Sequence, residues 1–205
     1  KPYREFCDLI GAKLDDNKLY AKLYWESLNG DPDCGGVTVI GYHAGEQVTD
    51  FETGCPLVLH SPTGGFTLAN FLRAQLYSAV ASLAIGIRIL KRENVSIDRL
   101  TGHGELFRIP KVGQQFLADA VNAPVAVMET AAEGGAYGMA LLTAYRVNRS
   151  QGETLESYLD NRVFADAKRT VLLPTEEGAR GFQTYLKRFE KALNVERTAI
   201  GIDFS

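Results

Sequence analysis

The chain has 205 residues, 45% of them hydrophobic and 23% charged, which is enough for a single domain with its own core over residues 1–205, or at most two small ones. Lysine plus arginine number 22 against 25 acidic residues, a net charge of −3, so neither the basic footprint of a nucleic-acid binder nor a polybasic membrane surface is present. The longest strongly apolar run, residues 79–87, is about half of a bilayer span, and the three cysteines and three histidines lack metal-ligand spacing, which together predict a cytoplasmic protein without a metal site.

The opening KPYREFCDLIGAKL has neither the apolar core nor the small-residue cleavage site of a signal peptide, and its first residue, Lys1, suits a piece of a longer protein. Over 17–28, apolar residues at 19, 20, 23, 24 and 28 share a helical face, and NGDPDCGG (29–36) ends that element with Asp31 and Asp33 as turn formers. VTVIGY (37–42) and PLVLH (56–60) predict short strands, the second followed by the turn SPTGGF. The strongest signal spans 68–92, where Leu68, Leu72, Leu76, Val80, Leu83, Ile87 and Leu90 recur three or four residues apart. Ala74, Ile85 and Ile89 line other faces of the same segment, so the helix is expected to be buried on more than one side.

The rhythm then changes to strand (SIDRL, 96–100), glycine loop (TGHGELFRIPK), helix (VGQQFLADAV), strand (PVAVME, 124–129), loop (TAAEGG) and helix (AYGMALLTAY). Such alternation marks an α/β arrangement with its loops at strand ends, where ligands commonly bind. A short helix over 154–160 and a longer one over 175–193 complete the chain, the latter with Phe182, Tyr185, Leu186, Phe189 and Leu193 on one face.

Two glycine loops carry whatever chemistry the chain has. Gly102 and Gly104 follow a strand and would let the backbone approach a flat ring or a phosphate closely. Gly134, Gly135 and Gly138 open a helix, although each interior glycine costs a helix about 0.5–1 kcal/mol relative to alanine. Two uses compensate that cost: close packing against a neighbour, or a helix N-terminus open to a polar or anionic ligand. Neither loop is a Walker motif, and the spacing after Gly104 does not make G-x-G-x-x-G, which weighs against a plain dinucleotide-binding domain.

The order and spacing of these pieces resemble the carboxy-terminal domain of the FGGY carbohydrate kinases, from Leu19 to about Leu193. Gly45-Glu46-Gln47 matches the family's GER-P element, and residues 64–90 match the segment ending in its long helix. Thr101–Gly104 matches the adenosine loop, Gln114–Asp119 the Q-x-x-AD helix, and Glu133–Ala140 the E-x-G-A-x-G-A-A ending. The chain departs from the family in placing His103 between the glycines, in extra residues before Q-x-x-AD, and in Ser82 near the point where a glutamate is common.

The resemblance implies an actin-like (ribonuclease H-like) α/β fold and the carboxy-terminal half of a two-domain sugar kinase, with ATP held here and sugar mainly by an amino-terminal domain absent from this sequence. It implies ATP and Mg²⁺ as the phosphoryl donor system and no catalytic base in this chain, since the family's base is an aspartate of the other domain. Transferred position by position, the nucleotide-binding residues are Thr67, Gly102, His103, Gly104, Phe107 and Gly134, with Gly134 facing the ligand and Gly138 serving packing. A homodimer is compatible with the resemblance, and a pentulose or related polyol is the expected acceptor. The competing expectation is a nucleotide-binding or regulatory module that keeps the fold without transfer chemistry.

Overall fold

The computed structural model describes residues 1–129, 131 and 134–202. They form two compact units, Lys1–Ser96 with Asp119–Asn122 and Pro174–Ser205, and Ile97–Ala118 with Ala123–Leu173.

The first unit contains α1 (Pro2–Leu9), α2 (Asp16–Ser27), the strands β1 (Thr38–Ile40) and β2 (Leu57–Leu59), α3 (Leu68–Arg92) and α7 (Glu176–Ala199). Asp15 caps α2 by accepting from the Lys18 amide, and Thr175 caps α7 by accepting from that of Gly178. The predicted strand 37–42 contracts to three residues, all buried, which pair antiparallel with the edge strand β2. An aromatic cluster forms the core: the Tyr77 ring lies 4.9 Å from Phe182 and 5.2 Å from Tyr185, both edge-on.

Helix α3 keeps its predicted limits and part of its predicted apolar series, Leu72, Val80 and Ile87 being buried. Leu68, Leu83 and Leu90 are exposed, whereas Ala69, Leu72, Ala74, Tyr77, Val80, Ala81, Ala84 and Ile87 are buried. Small side chains on a helix let a neighbour's large ones approach, so the alanine-rich side accepts the aromatic side of α7. Tyr185 reaches across this contact to donate to the carbonyls of Val39 and Ala74 at 3.0 and 3.1 Å. Asp31 and Asp33 keep their turn roles, Asp31 accepting from the Asn70 side chain and Asp33 from the Gly35 amide, while Asp33 also pairs with Arg188. Ser82 is buried within hydrogen-bond distance of the Tyr42 hydroxyl, at 2.9 Å.

The second unit is a three-stranded sheet in the order β3 (Leu100–Gly102), β4 (Val125–Met128), β5 (Arg169–Leu172), with α5 (Gly134–Asn148), α6 (Leu155–Tyr158) and most of α4 (Val112–Val121). β3 and β4 run parallel in the register Leu100↔Val125 and Gly102↔Val127, and β5 runs antiparallel to β4. The strand expected over 96–100 therefore corrects to Leu100–Gly102, and the sequence reading misses both β5 and α1. Buried Gln114 of α4 ties the sheet together: its Nε2 donates to the carbonyls of Val125 and Thr170 at 2.8 and 3.1 Å. Asp119, in the last turn of α4 and part of the first unit, accepts from the Thr175 amide at 2.7 Å at the start of α7.

Candidate functional site

Parallel pairing places the C-terminal ends of β3 and β4 side by side, so the loops that follow them meet at one end of the sheet. The Gly104 amide donates to the Ala131 carbonyl at 2.7 Å, a direct bond between the two loops. A Cβ built on Gly134 would stand 3.0 Å from the Cβ of His103, so the first turn of α5 rests against the TGHG loop. Gly102, His103, Gly104, Phe107 and Gly134, chosen from sequence, are thus brought together in the second unit. Thr67 lies in the first unit, where its hydroxyl accepts from the Asn70 amide at 3.2 Å and starts α3. Glu133 of the matched ending lies outside the described residues.

Two glycines of the loop have specific physical reasons. A Cβ on Gly102 would come within 2.5 Å of the Phe107 ring, so the flat ring that this glycine admits is the protein's own. Gly104 has φ 100° and ψ −176°, a conformation that essentially only glycine adopts, and nothing lies within 4 Å of where its Cβ would be. Gly134 approaches His103 closely, whereas Gly138 has open space around the corresponding point, so the packing contact expected at Gly138 falls instead to Gly134. The helix begins at Gly134, which confines the propensity cost to its first turns.

A cavity of about 570 Å³ opens beside this junction, bounded by His103, Gly134 and Gly138 and walled by Tyr137, Leu141 and Phe164. Its lining is mainly apolar, with the imidazole of exposed His103 at its edge. Apolar walls with a few polar groups at the edge suit a flat heterocycle joined to a polar tail. A second cavity, of about 580 Å³, lies where Phe107, Lys111 and Gln114 face β4 and β5. This place is not legible in the sequence, because β5 lacks a strand pattern of its own. Its one sequence signal was the adjacent cations Lys168 and Arg169 before a β-branched pair.

The Q-x-x-AD residues serve structure: Gln114 clamps β4 to β5, and Asp119 anchors Thr175. Among the described residues no three His, Cys, Asp or Glu side chains gather as a metal site would require, and no helix is long and apolar enough to cross a membrane.

The solved structures similar to this chain include xylulose kinase from Rhodospirillum rubrum, 15% identical with a TM-score of 0.65, over 88% of this chain and 34% of that one. Gluconate kinase from Lactobacillus acidophilus is 14% identical with a TM-score of 0.64, over 89% and 35%. Plasmodium falciparum glycerol kinase with ADP is 16% identical with a TM-score of 0.61, over 89% and 34%. The chain thus spans about a third of the length of each of these kinases. No curated protein sequence matches it. The shared architecture is the actin-like α/β fold, in which the long helix α3 precedes the β3–α4–β4–α5 run. The model of the FGGY family of carbohydrate kinases, C-terminal domain, matches residues 5–147, from α1 to the end of α5, and on that match the chain belongs to this family of carbohydrate kinases.

Proposed function

We propose that the chain is the ATP-binding half of a sugar kinase, which passes the γ-phosphate of ATP to a hydroxyl of a pentulose or related carbohydrate. The observation that carries this reading is the joined pair of glycine loops at the ends of parallel β3 and β4, with an apolar cavity beside them. The residues present fit an adenosine: Gly134 lacks the side chain that would crowd His103, and His103 stands at the cavity edge with apolar walls behind it.

His103 stacks on the base or ribose, Gly134 keeps that space open, and Tyr137 and Phe164 exclude water from it. Phe107, lodged on Gly102, stiffens the loop that carries His103. Gly104 sets the direction of the chain beyond it through its positive φ. Thr67 is the proposed phosphate-side contact, beyond its role in capping α3. ATP supplies the phosphoryl group, and Mg²⁺ carried on its phosphates offsets their charge. The sugar and the aspartate that takes its hydroxyl proton belong to an amino-terminal domain, and the whole protein works in the cytoplasm, with a homodimer as its proposed assembly. The xylulose kinase and the ADP-bearing glycerol kinase among the similar structures support an ATP-dependent reaction and leave a pentulose as the proposed acceptor.

Calorimetry with ATP–Mg²⁺ on the folded chain tests this reading. Binding weaker than about 0.1 mM is expected, lost by about tenfold in Gly134→Val, whose branched side chain intrudes on His103. Absence of heat at millimolar nucleotide from a folded sample refutes the ATP-binding half. Sugar-dependent ADP release by this chain alone refutes the placement of the base in another domain.

A further inference from the structure

The cavity of about 580 Å³ between the α4 approach and the β4–β5 pair has a charge opposite to that of the chain. Arg108, Lys111, Lys168 and Arg169 line it, with Glu129 as the one carboxylate among its described lining residues. The chain as a whole carries −3. Lys111, Lys168 and Arg169 make no ion pair among the described residues, while Arg108 pairs with Glu105 at 2.9 Å. Such a concentration of one sign in a concave site focuses the field and draws anions. The floor supplies the rest of a ligand site: Phe107, Pro110, Val127 and Met128 are apolar, and Thr170 has its hydroxyl bonded to buried Gln114.

Backbone geometry at the rim points the same way. Lys111 has φ 72°, a left-handed conformation uncommon for a lysine, immediately before the first residue of α4. The strain is held where the cavity meets the helix N-terminus, whose dipole also favours negative charge. The volume lies within the range of small-molecule sites and exceeds what a single inorganic anion fills.

We propose that this cavity is a binding site for a small phosphorylated metabolite, its phosphates held by Lys111, Lys168 and Arg169 and its carbon skeleton resting on Phe107 and Pro110. The site is separate from the His103–Gly134 cavity assigned to adenosine, and shares no lining residue with it except Met128.

Calorimetric titration of the full chain with inorganic pyrophosphate, at low ionic strength and at about 0.3 M salt, is the test. Saturable binding that weakens with salt is expected, about tenfold or more weaker in the Lys168→Glu/Arg169→Glu double variant. Lys187→Glu/Lys191→Glu, an equal charge change on the exposed side of α7, is expected to leave it within about twofold. Absence of pyrophosphate binding to the folded wild type overturns the proposal, as does an equal loss in both double variants. If the glutamates prevent folding, Lys168→Gln/Arg169→Gln carries the test with the same expectation. ATP–Mg²⁺ titrated into the Lys168/Arg169 variant separates the two sites. Retained ATP binding supports the proposal, and joint loss of ATP and pyrophosphate overturns it by making the cavity part of the nucleotide's own site. Should the wild type bind pyrophosphate and no ATP, the adenosine reading fails while this one stands.

Discussion

Gly102→Ala tests whether the TGHG loop is held by the ring that follows it. The added Cβ would lie 2.5 Å from two ring carbons of Phe107 and 2.9 Å from a third, so the ring must retreat by about 1 Å to reach ordinary contact. Overpacking of that kind costs about 1–3 kcal/mol, and we expect a value near 2. Phe107 is only half-buried, so Phe107→Ala is expected to cost about 1–2 kcal/mol, less than for a fully buried ring. In the double variant the clash has no partner, and the two effects should fall short of their sum by about 1 kcal/mol or more. Urea unfolding followed by far-UV circular dichroism gives the three stabilities, with amide exchange of β3 and β4 as the local readout. Tryptophan fluorescence is the wrong probe, because the one tryptophan, Trp25, lies in the first unit. Additivity within about 0.3 kcal/mol would refute the claim that ring and glycine act as a pair.

Tyr185→Phe leaves the carbonyls of Val39 and Ala74 without their buried donor and should cost about 1–3 kcal/mol in urea unfolding; an unchanged midpoint would mean that both carbonyls are satisfied otherwise. Asp119→Ala frees the Thr175 amide and hydroxyl at the start of α7, with an expected loss of about 2 kcal/mol and faster exchange in the first turn of α7, and protection there equal to wild type would contradict the anchor. Burial pushes the Tyr77 phenol up to about 12 and raises that of Tyr185 in the same direction. Because the folded state disfavours the phenolate, this stabilisation is intact below the unfolded phenol value of about 10 and is lost as pH rises through the folded value. The urea midpoint should therefore fall between about pH 10 and 12, with a late phenolate absorbance step on unfolding; complete ionisation of all tyrosines in the folded protein near pH 10 would refute it.

Local signals in the sequence were sufficient for the long helices. The apolar recurrence over 68–92 and the apolar face over 175–193 gave α3 and α7, the latter running on to Ala199, because a helix's hydrogen bonds close within one turn. The glycine loops were legible too, since TGHG and EGG break strand and helix patterns at defined points. Strands were less so: β3 sits at Leu100–Gly102 rather than over 96–100, and β5 went unread. A three- or four-residue strand is fixed by the partner it pairs with, and β5 finds that partner in β4, far upstream in the chain.

The candidate site divides in the same way. The sequence alone determined the residue types at the loop junction, the net charge of −3 and the order of elements that places the chain among the FGGY kinases. Only the tertiary structure decided which glycine does what: Phe107 fills the space over Gly102, Gly134 rather than Gly138 makes the close contact, and α3 turns its alanines inward beneath α7. It also decided that Lys111 and the pair Lys168–Arg169, well separated in sequence, line one cavity. The physical reason is common to all of these: composition and periodicity report what each residue prefers among its immediate neighbours, whereas close approach and charge focusing depend on which distant segments the sheet register brings together.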